Sequence, residues 1–163
     1  MQIRGQSTKA LDDAVYGAAQ LLRDRSRNRR KLILLISDGA NGGKKSNKMN
    51  YDSVVKTLLH DNIEVYSVAV ASAFLERKFS RLVDYAHDSG GEVYFAAKRE
   101  TLEELYSRIS EEARNQYTIA YVPRGTDRSA DVHSVEVRVK REGLTIKTRD
   151  KYYAGEIPGA ARP

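Results

Sequence analysis

Residues 31–37, KLILLIS, constrain the fold more than any other stretch of the chain. Leu32, Ile33, Leu34, Leu35 and Ile36 stand in a row with no polar alternation, and Ser37-Asp38-Gly39 closes the run. The run is too short and too aliphatic for a surface helix. A strand that is apolar on both faces belongs in a parallel sheet with both faces covered. The flanking sequence supplies the covers. Upstream, Leu11, Ala14, Val15, Ala18, Ala19 and Leu22 recur at helical spacing, which predicts a helix over about residues 8–25 with Ser7 or Thr8 as its cap.

Downstream the alternation continues. Val54, Val55, Leu58 and Leu59 predict a helix over 51–61 that ends at Asn62, and IEVYSVAV (63–70) reads as the next strand. Phe74, Leu75, Phe79, Leu82, Val83 and Ala86 mark a helix ended by Gly90 and Gly91, EVYFA (92–96) is a short strand, and Thr101 with Glu104 opens a helix over 101–115 in capping-box spacing. Alternating helices and strands of this kind build a parallel α/β sheet with right-handed crossovers. Beyond residue 115 the pattern changes to three strand-like runs, 116–123, 133–141 and 144–150, without helices between them. Val135, Val137 and Val139 alternate with Glu136, Arg138 and Lys140, so one face of that strand is wet, and Glu142-Gly143 suits a tight turn. The expected organisation is an α/β unit over 1–115, a β-hairpin extension over 116–154 added to the sheet or packed beside it, and a tail over 155–163.

At 163 residues the chain suits one domain with a real core. It has no cysteine, which excludes disulfides and thiolate metal sites, and no apolar run long enough to span a membrane. Residues 1–13 lack the apolar core of a signal peptide. The formal charge is +6, and much of the excess sits in RDRSRNRRK (23–31). A nucleic-acid surface is one reading of that segment. No aromatic side chain interleaves it to stack on bases, and a solvated helix end leading into a strand explains it better. We therefore expect no nucleic-acid partner.

The loop after KLILLIS looks at first like a phosphate cradle, G-x-x-x-x-G-K-[ST]. In the nearest register, 38–45, Asp38 replaces the first glycine and Lys45 the final Ser or Thr. A carboxylate at the loop entrance repels phosphate, and the next helical pattern begins too late for its amides to reach an anion. Asp38 itself is the more informative residue. It ends a strand of a parallel sheet, where such folds gather their ligands. It can cap loop amides, or it can ligate a hard cation or one of that ion's waters.

GQSTKALDDAV (5–15), the Ser-Asp-Gly strand end, IEVYSVAV, the helix holding LVDYA (82–86), Gly90-Gly91 and EVYFA occur in an order that resembles the von Willebrand factor A family. RNQYTIAYVP (114–123), HSVEVRVK (133–140) and TRDKYYAG (148–155) are similar to the C-terminal extension of bacterial relatives of that family. The resemblance covers roughly residues 5–154. It implies a Rossmann-like three-layer α/β sandwich and a non-enzymatic module that binds a protein partner. It also implies a metal-ion-dependent adhesion site, at which Mg²⁺ or Mn²⁺ captures an acidic side chain of the partner. Asp38 and Thr8 or Ser7 would be its ligands, with Gly39 and Asn41 in the partner-binding loop. The family's D-x-S-x-S motif is absent; Asp24-Arg25-Ser26-Arg27-Asn28 is the closest string, and it follows a helix where the motif needs a strand. The resemblance therefore implies the C-terminal two-thirds of such a domain, a partial site with weak or no metal binding, and self-association through an exposed sheet surface. A secreted or cell-envelope setting is implied by the family alone.

Other chemistry has less support. His60, His87 and His133 show no metal-ligand spacing, and Ser37 lacks a G-x-S-x-G elbow. Asp12 and Asp13 suit the dipole of a first helical turn, and Asp13 could also orient the loop after Asp38. An assembly scaffold indifferent to metal is the alternative function, and a metal-assisted phosphoryl-transfer or nucleotide enzyme is a more distant one.

Overall fold

In a computed structural model, residues 10–25, 29–39, 47–69, 76–95, 102–119 and 132–153 are described. Four helices, α1 (Leu11–Arg23), α2 (Tyr51–His60), α3 (Glu76–Ser89) and α4 (Leu102–Arg114), alternate with three strands, β1 (Lys31–Ser37), β2 (Ile63–Ala69) and β3 (Val93–Phe95). The strands form one parallel sheet in the order β1-β2-β3, with Lys31 opposite Ile63, Ser37 opposite Ala69 and Ser67 opposite Val93. The elements are those expected from the sequence, with boundaries shifted by at most three residues.

The period of two along each strand sorts side chains to two faces. Ile33, Ile63 and Val65 point to one face, where Val15 and Ala19 of α1, Val54, Leu58 and Leu59 of α2 and Tyr85 of α3 close a core. Tyr66, Val68 and Tyr94 point to the other, where Leu105 and Ile109 of α4 cover them and Leu32 and Leu34 pack alongside. Helices on both faces of the sheet make three layers.

β2 is buried at every position but Glu64; β1 is not. Only Ile33 of β1 is fully buried, and Ile36 is 49% exposed. KLILLIS predicts cover on both faces. Among the described residues β1 has a strand partner on one side only.

Two glycines fix how α3 feeds β3. Gly90 has φ +87°, and Gly91 lies so close to β2 that a Cβ on it would sit 2.1 Å from the Val65 carbonyl oxygen. Asn62, at φ 54°, turns the chain from α2 into β2.

The C-terminal part corrects the sequence reading in detail. Two short antiparallel strands, β4 (Val132–Ser134) and β5 (Lys151–Tyr153), pair with His133 opposite Tyr152. Val135 N–H also donates to the Asp150 carbonyl at 2.7 Å. This register is centred on Glu142 and Gly143, the expected turn, and Gly143 has φ +76°. The expected long strands over 133–141 and 144–150 do not form; of the run expected over 116–123, residues 116–119 are not a strand and 120–123 lie outside the described residues. His133, Val135 and Val137 are half-buried between exposed neighbours, while residues 139–148 are exposed throughout. A two-stranded ribbon without a covered apolar face has little to hold its ladder. Its far end is anchored instead: Lys147 pairs with Glu92 at 2.5 Å and Lys151 with Asp88 at 3.2 Å.

Candidate functional site

Asp38 follows the last residue of β1, at the edge of the sheet where the parallel strands end. It is half-buried, and Gly39 behind it is buried with φ +73°. That backbone turns the chain out of the sheet, and Gly39 N–H donates to Ser37 Oγ at 3.2 Å. Leu11 of α1 shares a buried cluster with Ala69 at the end of β2 and Leu82 of α3, with Leu35 packed against it. The first turn of α1 therefore lies beside the edge that carries Asp38.

This turn is capped from outside its own segment. Ala10 is the N-cap and makes no side-chain bond. Ser7 and Thr8, the caps expected from the sequence, lie outside the described residues. The Asn47 carboxamide oxygen takes the role, accepting from Asp12 N–H at 3.0 Å and Asp13 N–H at 3.4 Å. The Asp13 carboxylate answers by accepting from Lys48 N–H at 2.9 Å and Met49 N–H at 2.7 Å. Those amides hold its pKa below the ordinary carboxylate value. Asp13 thus orients the far end of the loop that starts at Asp38, one of the two roles its position suggested.

Asp12, five per cent exposed, does something the sequence did not reveal. The Tyr85 hydroxyl donates to its Oδ1 at 2.8 Å, and the Arg81 guanidinium lies 3.7 Å from the same oxygen. The Arg81 guanidinium also sits 4.2 Å from the centre of the Tyr51 ring, and that ring lies 4.9 Å from Tyr85. The Tyr51 hydroxyl donates to Asp88 at 3.0 Å. Burial, followed by these bonds to carboxylates, raises the pKa of both tyrosines. Arg81, Tyr85 and Asp88 are spaced i, i+4 and i+7 on α3, so one helical face carries this ladder. The spacing is visible in the sequence; the partners, seventy residues away in one case, are not.

A hard divalent cation needs several oxygen ligands around one point. Asp38 supplies one carboxylate at the strand end. The two nearest acidic side chains on α1 are committed, Asp13 to loop amides and Asp12 to a hydroxyl and a guanidinium. A cation there would also meet the charge of Arg81. The described residues at this edge do not enclose a metal; Ser7, Thr8 and Asn41 fall outside them. Elsewhere, His87, Asp88 and Asp150 each offer a ligand atom within 4.8 Å of the others. They sit where α3 returns to the start of β3, at the opposite edge of the sheet from Asp38. The Lys151 ammonium holds Asp88 at 3.2 Å, the Tyr51 hydroxyl holds its other oxygen, and His87 Nδ1 is 3.2 Å away. This group is an ion-pair anchor for β5 rather than a vacant ligand set.

The basic segment resolves into specific contacts where it is described. Arg23 Nε donates to Asp61 at 2.9 Å. Arg30 reaches across the start of β1 to the Ala113 carbonyl at 3.1 Å and to Gln116. No helix among the described residues is long and apolar enough to cross a membrane.

No curated protein matches the chain closely enough to count as a relative. The von Willebrand factor type A domain matches residues 1–108, the stretch that contains α1 through most of α4 and the whole parallel sheet. A three-layer sheet of this order, a Ser-Asp-Gly strand end at its ligand-bearing edge and a family match over two-thirds of its length place the chain in the von Willebrand factor type A domain family.

Proposed function

We infer that this chain is a protein-interaction module that engages its partner at the edge of the sheet where β1 and β2 end, with weak metal assistance. Domains of this family generally mediate protein–protein interaction or adhesion. The observation that carries the reading is the placement of Asp38 and Gly39 on a rigid strand end, beside a helix start that Asn47 and Asp13 lock to the same loop. A preorganised edge of this kind presents one fixed carboxylate and a turn of backbone to a partner. Asn41 and Ser7 or Thr8 belong to the segments that flank it. Family membership supports a binding module over an enzyme, since domains of this family are typically interaction modules.

Titration calorimetry with Mg²⁺ and Mn²⁺ tests the metal component. We expect saturation, if any, only above about 0.1 mM, well short of a fully built oxygen cage, and its loss in Asp38→Ala. Binding of Asp- or Glu-bearing peptides, read by fluorescence anisotropy, should fall in the same variant. Tight metal binding unaffected by Asp38→Ala would overturn the assignment.

A scaffold indifferent to metal is the second reading. The internal commitment of Asp12 and Asp13 favours it, because it removes two carboxylates from any cation site at this edge. Peptide or partner binding that survives a chelator unchanged, yet is lost in Asp38→Ala, selects this reading over the first.

A further inference from the structure

The C-terminal extension is held to the α/β unit by charge rather than by core packing. Among the described residues no side chain beyond Ile109 is buried. Lys147, Arg149 and Lys151 stand at alternate positions, and alternate positions of an extended chain share a face. All three act on carboxylates of the edge opposite Asp38. Lys147 Nζ lies 2.5 Å from Glu92, just before β3, and Lys151 Nζ lies 3.2 Å from Asp88, near the end of α3. Arg149, between them in the chain, is half-buried. Burial raises the pKa of Glu64 at the start of β2, and a bond from Gln116 and the charges of Arg30 and Arg149 offset part of that rise.

The α/β unit is shaped to receive this segment. Gly90, at φ +87°, leaves room where the backbone of Arg149 passes: a Cβ there would lie 3.0 Å from Arg149 N and 3.1 Å from Arg149 Cβ. Asp88 is held independently of Lys151, by the Tyr51 hydroxyl at 3.0 Å and by His87 Nδ1 at 3.2 Å. Glu112 of α4 adds its charge to the field on Lys147, and Arg108 opposes it. The seated segment is nevertheless wet, with the side chain of Lys147 61% and that of Lys151 40% exposed. Ion pairs this exposed hold weakly and are screened by salt. A preformed acidic edge thus carries an extended cationic occupant that can leave it.

We propose that this edge, marked by Asp88, Gly90 and Glu92, is a second docking surface for an extended partner segment with Lys or Arg at alternate positions, and that residues 147–151 occupy it in cis as a built-in competitor. Charge complementarity selects the partner, and the chain's own Lys-Thr-Arg-Asp-Lys shows the pattern that fits. A strap tethered beside its own site acts at an effective concentration of about 1 mM. A segment that binds the bare edge with a dissociation constant of about 0.1 mM is then weakened about tenfold while the strap is seated.

The probe is a fluorescent peptide with the sequence of residues 144–153, added to the full-length chain and read by anisotropy at low salt. Lys147→Glu with Lys151→Glu unseats the strap without touching the core, so the circular dichroism spectrum should persist. The peptide should bind this variant about tenfold more tightly than the unmodified chain. Adding Glu92→Lys to the variant should weaken the peptide at least about tenfold again. Hydrogen exchange supplies a readout that needs no variant. Val135 N–H, bonded to the Asp150 carbonyl at 2.7 Å, should exchange faster when saturating peptide displaces the strap, while Ser67 N–H, bonded to the Glu92 carbonyl at 2.9 Å, should not change. Equal affinity for the variant and the unmodified chain overturns the cis occupancy, and no binding to the variant overturns the docking surface. A dimer of the unmodified chain that the double substitution dissociates would seat the strap on a second copy and overturn its place in cis.

Discussion

Removing one oxygen atom, in Tyr85→Phe, tests whether the ladder on α3 is what holds α1 against the sheet. The hydroxyl donates to Asp12 at 2.8 Å, and Asp12 is only five per cent exposed, so no water readily replaces the lost bond. Hydrogen bonds to charged groups contribute about 1.5–3 kcal/mol, and leaving a buried acceptor short costs a similar amount. The Arg81 guanidinium stays 3.7 Å away and the ring still packs against Tyr51 at 4.9 Å, so the lower part of that range applies, about 2 kcal/mol. For a domain of this size such a loss lowers Tm by about 4–8 °C. Tyr51→Phe is the internal reference. Its hydroxyl serves Asp88, which keeps Lys151 and His87, so the cost should be about 0.5–1.5 kcal/mol. Urea unfolding followed by circular dichroism reads both, and the m-value should not change. A second measurement isolates the pair: in a double-mutant cycle of Tyr85→Phe with Asp12→Asn, the coupling should be about 1 kcal/mol or more. The reasoning is refuted if Tyr85→Phe costs no more than Tyr51→Phe, or if the cycle shows no coupling.

Other perturbations probe different parts of the same frame. Gly91→Ala forces a Cβ to within 2.1 Å of the Val65 carbonyl, so it should unpair β3 from β2 and destabilise the domain by about 3 kcal/mol or more, read by urea unfolding. Asn47→Ala removes the remote cap of α1 and should cost about 0.5–2 kcal/mol, with raised amide exchange at Asp12 and Asp13. Burial pushes the pKa of Asp61 and Asp88 up, but bonds from Arg23 and His60, and from His87, Lys151 and Tyr51, outweigh it, so both stay below the unfolded value. Their stabilisation is therefore present above about pH 4 and is lost as pH falls below it, which a pH series of thermal melts should show. Glu64 runs the other way: burial raises its pKa despite a bond from Gln116, so its favourable contribution is full below about pH 4 and is lost as pH rises. Glu64→Gln should accordingly gain stability at pH 7 relative to pH 3, and a uniform effect at both pH values would contradict that account.

The sequence made the parallel sheet legible because its signals are local. KLILLIS and IEVYSVAV are apolar runs of strand length, and the helices between them carry apolar residues at helical spacing. Gly90-Gly91 and Asn62 marked chain reversals for reasons of backbone conformation, and positive φ at Gly90 and Asn62 follows. What stayed hidden is whatever joins distant segments. Asn47, which accepts from the first-turn amide of Asp12, lies thirty-five residues away, so no local capping signal announces it. Asp12 looked like a dipole partner, and its real partners lie on α3. His87, Asp88 and Asp150 show no ligand spacing, since the third comes from the C-terminal extension. The hairpin was overread for a different reason. Alternation of Val with charged residues reports that one face is apolar, but it does not say that anything covers that face, and residues 139–148 are exposed. Its turn at Glu142-Gly143 was nevertheless found, because turn chemistry is local.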